Sequence, residues 1–138
     1  MGRVLAIDYG TKRCGIAVTD PLKIIATPLT YIDTVEIFTF LKTYSLKETV
    51  ELFLVGMPIS LKGNTTNATH FVKIFIEKLK QAFPETAIET IDERFTSKMA
   101  LKTLIEAGTT KKFRKEKGNI DQISATIFLQ DWMIRNIT

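Results

Sequence analysis

Asp8 closes an apolar run, Val4-Leu5-Ala6-Ile7, where ordinary surface solvation would not place an acid. Two other acidic positions share that character. Asp92-Glu93-Arg94 follows a short β-branched run, and Asp121 falls in the first turn of a C-terminal helix. Each has an ordinary reading: an aspartate before Tyr9-Gly10 can start a turn, and acids favour helix N-termini. Converging on one edge, the three positions would instead form a hard, oxygen-only donor set. Such ligands suit Mg²⁺ or Mn²⁺, which keep several waters and use few protein carboxylates. Two such ions about 4 Å apart can activate a water and stabilise the leaving oxygen of a phosphodiester. The chain has one cysteine, Cys14, and one histidine, His70. That excludes an intramolecular disulfide and a structural zinc centre. His70 lies in a predicted helix and reads as a surface or packing residue.

The charge distribution adds to this. Net charge is +4 and the pI about 9.2, a mild bias. Between Lys111 and Lys117 the chain reads KKFRKEK, five basic residues in seven. By itself that is either a solvated loop or a phosphate-contacting one. It precedes Asp121 and would overhang the acids. Acids and basic loop together describe a nuclease better than either does alone.

The elements that must position these groups follow from pattern. The 138 residues, 45% hydrophobic and 25% charged, suit one soluble domain spanning 1–138. No apolar run is long enough for a membrane helix. MGRVLAIDYG lacks the long apolar stretch and small-residue cleavage site of a signal peptide. The expected location is cytoplasmic, away from membranes. Arg3–Asp8 and Cys14–Thr19 read as strands about the turn Tyr9–Arg13. Ile24–Ile32 is a third strand, which Pro28 restricts to an edge or bulge. Helical spacing follows over Thr34–Tyr44, with Val35, Phe38 and Leu41 on its stripe and Asp33 or Thr34 as N-cap. Glu51–Val55 is a buried strand. Thr65–Phe83 is the clearest helix, with an apolar stripe of Phe71, Ile74, Phe75, Leu79 and Phe83 ended by Pro84. Ala87–Ile91 is the fifth strand, Thr96–Ala107 a helix, and Asn119–Ile134 the last helix. In that helix Ser124 and Ala125 are small enough for the turn carrying Asp121 to approach the sheet.

A three-strand meander followed by helix-connected parallel strands predicts an α/β fold: a five-stranded mixed sheet, order 3-2-1-4-5, with helices on both faces. This is the ribonuclease H-like architecture. It sets the C-terminal ends of the first and fifth strands on one edge, where ligands bind in open α/β sheets. Asp92 and Glu93 alternate to opposite faces, and which of them points into the site stays open.

Four segments resemble the motifs of the YqgF/RuvX family: DYGTKRCGIAVTD (Asp8–Asp20), VGMPISLKGN (Val55–Asn64), DERFTS (Asp92–Ser97) and KGNIDQISATIFLQ (Lys117–Gln130). They cover most of the chain in the family's order. The family consists of bacterial ribonuclease H-like proteins ascribed to pre-16S rRNA cleavage and formerly to Holliday-junction resolution. The resemblance implies Asp8 as the central metal-binding acid, Asp92 or Glu93 as the second carboxylate (Glu93 being the preferred ligand), and Asp121 as the third. It implies that Lys12, Arg13, Arg94 and Lys117 face the phosphate backbone; the basic run adds Lys111, Lys112, Arg114 and Lys115 as expected nucleic-acid contacts on grounds of charge. It also implies maturation of the 5′ end of 16S rRNA, in the setting of ribosome assembly.

Other readings compete. The DYGT turn also resembles the phosphate-binding turn of actin-like ATPases and sugar kinases, but those enclose ATP between two such domains. A non-catalytic nucleic-acid-binding module would keep affinity without metal-dependent cutting. A junction resolvase would prefer branched DNA and need a symmetric dimer, for which no surface is legible. The expected state is a monomer or weak homodimer acting on structured RNA.

Overall fold

β1 (Arg3–Tyr9) buries Val4, Leu5, Ala6 and Ile7 completely. A strand apolar on both sides needs cover on both faces, and β1 is accordingly central. The computed structural model describes residues 2–58, 67–92 and 117–137. β1 pairs antiparallel with β2 (Arg13–Thr19) and parallel with β4 (Val50–Met57). β3 (Ala26–Asp33) lies antiparallel outside β2, and β5 (Ala87–Asp92) parallel outside β4. The order is β3-β2-β1-β4-β5, as the sequence pattern predicts. Pro28 sits beside a register shift on the edge strand, where its missing N–H interrupts no interior ladder.

Strand alternation separates two cores. Leu5, Ile7, Cys14, Ile16, Phe53 and Val55 pack under α1 (Ile37–Lys47) and α2 (Asn67–Ala82). Val4, Ala6, Ala17, Leu52, Leu54 and Ile91 pack under Ala125, Phe128 and Leu129 of α3 (Lys117–Ile137). Helices therefore cover both faces.

Two helical phases depart from expectation. A 3-10 turn at Thr34–Glu36 precedes α1 and shifts its register, so Val35 is 92% exposed while Ile37 and Leu41 are buried. In α2 the buried stripe is Val72, Phe75, Ile76 and Leu79. Phe71 and Ile74, placed on that stripe by spacing alone, are 46% and 42% exposed. Apolar residues on both flanks let either phase satisfy the periodicity, and the sheet's shape selects one. The helix expected over 96–107 lies outside the described residues.

Two turns are built by side chains. Asp33 precedes the 3-10 turn without capping it. Thr34 instead donates its hydroxyl to the Gly10 carbonyl at 2.6 Å, and its N–H to the Lys12 carbonyl at 3.0 Å. These bonds pin the β1–β2 turn against the start of α1. At the other end of the sheet, the Asp20 carboxylate accepts the N–H groups of Leu22, Ile24 and Ile25 at 3.2, 2.7 and 2.8 Å. Those bonds hold its carboxyl below the usual carboxylate range.

Candidate metal and nucleic-acid site

Asp8 stands near the C-terminal end of β1. It alternates with Val4 and Ala6, so it shares the face that α3 covers. Its partner across the β1–β2 ladder is Gly15. A β-carbon on Gly15 would lie 2.1 Å from the backbone carbon and oxygen of Asp121. The bare backbone at Gly15 thus lets the first turns of α3 settle onto the sheet beside Asp8. The small residues expected to permit that approach are on the helix, and Ala125 is indeed fully buried. The sheet's own contribution is Gly15, which the expectation from the helix alone does not include. A glycine inside a strand is the signal that marks such an approach.

Arg13, two residues before Gly15 on β2, pairs with Asp121, Nε to Oδ2 at 3.1 Å. Both side chains are about 30% exposed, at 33% and 29%. Burial pushes the Asp121 carboxyl up from its ordinary value, and the Arg13 guanidinium opposes that rise. Lys12 is exposed at the turn. On the opposite face, burial pushes the Cys14 thiol up; hydrogen bonds from Thr34 and Gly10 pull it down, and the negative fields of Asp8 and Asp121 add to the rise. One thiol feels both carboxylates, in keeping with their common place at this end of the sheet.

Asp92 is placed differently. It pairs with Met57 across the β4–β5 ladder. Met57 packs into the α1–α2 core, whereas Ile91 belongs to the core under α3. Asp92 therefore stands on the α1–α2 face, opposite Asp8 and Asp121. Glu93, Arg94, Lys111, Lys112, Arg114 and Lys115 lie outside the described residues, and Lys117 begins α3. Among the described residues no three of His, Cys, Asp or Glu gather as a metal-holding group. Asp8 and Asp121 are the two predicted acids brought together, and their oxygen-only chemistry fits a hard divalent cation.

A five-stranded mixed sheet in this order, with helices on both faces and an aspartate at the end of its central strand, defines a ribonuclease H-like protein. Its fold resembles the Thermus thermophilus RuvC bound to a Holliday-junction substrate (TM-score 0.64, 14% identity, 99% of this chain and 97% of that one). A second Thermus thermophilus RuvC structure gives a TM-score of 0.55 at 16% identity, over 95% and 96% of the two chains. Residues 2–135 match the RuvX family profile, described as Holliday junction resolvase. The chain belongs to the RuvX family. It is 50% identical over 137 residues to a Flavobacterium psychrophilum protein named "Putative pre-16S rRNA nuclease", covering 99% of this chain and all of that one. An Amoebophilus asiaticus protein of the same name is 50% identical over 133 residues, 96% and 94% of the two chains.

Proposed function

We propose that this protein is a metal-dependent endonuclease of the cytoplasm that acts on structured RNA and matures the 5′ end of pre-16S rRNA. The observation that carries this is the seating of Asp121 on Gly15, beside Asp8, in a family whose relatives are named as nucleases. Asp8, Asp121 and Glu93 would hold Mg²⁺ or Mn²⁺. The bound ions supply activation of the attacking water and stabilisation of the leaving oxygen. Arg13 orients the Asp121 carboxylate and partly neutralises it. Lys12 meets the RNA backbone at the exposed turn, and the cluster of Lys111, Lys112, Arg114 and Lys115 supplies further phosphate contacts.

The test is cleavage by purified protein with Mg²⁺ or Mn²⁺. A 16S precursor fragment and a four-way DNA junction are offered in parallel, with Asp8→Asn as control. Metal-dependent cutting of the RNA is expected, lost in Asp8→Asn while fold and RNA binding persist. Cutting of the junction alone would assign a DNA resolvase. No cutting of either, with RNA still bound, would leave a binding module.

A further inference from the structure

Phe71 is the large aromatic that the core of α2 does not take. Together with Tyr9, Thr11 and Ala68 it lines an open cavity of about 240 Å³. Tyr9 follows Asp8 on β1 and Thr11 precedes Lys12 in the turn, so the cavity lies at the same end of the sheet as Asp8, on the opposite face. The Tyr9 ring is fixed from behind: it stacks on Phe75 with centroids 4.4 Å apart and planes 22° apart, and Phe75 is buried. Phe71 and Ala68, the lining residues from the start of α2, stand exposed. None of the described residues that line it is charged. Two aromatic side chains, a small residue and a hydroxyl suit a flat ring with polar edges. Unpaired bases are commonly held by aromatic stacking, which tolerates any base because every base has a π-face.

We propose that this cavity receives one unpaired nucleobase from a nucleotide next to the scissile phosphate. The inference rests on the nucleic-acid reading above and adds to it a requirement for a single-stranded nucleotide beside the cut. Asp8 and Tyr9 point to opposite faces of β1, so a strand crossing this end of the sheet places a phosphate on one side and a base on the other.

The experiment uses the full chain carrying Asp8→Asn, so that nothing is cut. Short RNA and DNA oligonucleotides with 2-aminopurine at each position in turn are titrated, and fluorescence and affinity are read. Quenching confined to one or two positions is expected. Phe71→Ala should remove it and weaken binding about ten-fold, as loss of one stacked base does. Phe71→Trp should retain it. Ala68→Leu, which fills the cavity without deleting a core contact, should also abolish the quenching. The comparison of RNA with DNA shows which polynucleotide supplies the base. Unchanged quenching and affinity in both Phe71→Ala and Ala68→Leu would overturn the pocket, even if the wild-type chain cuts RNA. Position-specific quenching lost in Phe71→Ala would uphold it, even if the wild-type chain cuts nothing.

Discussion

Gly15 and Asp121 are in contact that no other residue at position 15 could permit. The place of a glycine β-carbon lies 2.1 Å from the aspartate's carbonyl carbon and oxygen, and 2.4 Å from the N–H nitrogen of Gln122. Those atoms belong to the backbone of α3, so they cannot rotate away as a side chain would. Because Gly15 is the ladder partner of Asp8, this contact sets how near the two acids come. Gly15→Ala should push the start of α3 off the sheet. Overpacking of this kind costs about 1–3 kcal/mol, a fall in melting temperature of roughly 3–10 °C for a domain near this size. Thermal denaturation followed by circular dichroism reads the loss. Cleavage should fall further than stability does, because the acid pair is separated. A variant that melts and cuts like the wild type would remove Gly15 from the account of the site.

The pairing of β5 with β4 fixes the face on which Asp92 lies. Asp92 stands on the α1–α2 side with Met57, and metal-dependent chemistry is assigned here to the side of Asp8. Asp92→Asn should keep most of the cleavage rate. Glu93→Gln should lower it at least about a hundred-fold, since even outer partners of metal ligands can cost that much when removed. Parallel single-turnover assays of the two variants decide it, and the reverse ranking would move the second carboxylate to Asp92.

Neutralising Lys111, Lys112, Arg114 and Lys115 together should weaken RNA binding and flatten its dependence on salt. Each lost phosphate contact lowers the slope of log affinity against log salt by about 0.7–0.9. Titrations across a range of KCl concentrations measure that slope. An unchanged value would return the cluster to a merely solvated role.

Asp20 makes the β2–β3 turn sensitive to acid. Its carboxyl is held below the usual range chiefly by the hydrogen bond from the Ile25 N–H, with further bonds from Ile24 and Leu22. A group whose folded value is depressed contributes stability above its unfolded value and loses that contribution as pH falls through the folded one. Asp20→Asn should therefore melt at a lower temperature than wild type at neutral pH. The gap should narrow through the acidic range and close once the wild-type carboxyl is protonated. A gap of constant size from neutral to strongly acidic pH would argue that the side chain's shape matters there and its charge does not.

Much of this protein is determined locally. The uninterrupted apolar run before Asp8 admits only a central strand, because both faces of such a strand must be covered. Pro28 restricts its strand to the edge, since proline cannot donate to an interior ladder. The alternation of helices and strands after residue 34, with the right-handedness of crossovers, then leaves the order 3-2-1-4-5. The acids were visible as residue types, and the motif order pointed to the family. What the sequence left undecided were questions of phase and of approach. Periodicity accepts two adjacent stripes on α2, and only the sheet beneath chooses Val72 and Ile76 over Phe71 and Ile74. Alternation along the fifth strand does not say which face Asp92 takes; its pairing with Met57 does. The approach of Asp121 to the strand position paired with Asp8 spans 113 positions of chain (121 − 8). A glycine inside a strand marks that something approaches closely, but that the approaching element is α3, carrying Asp121, is a relation between distant surfaces that only the packing decides.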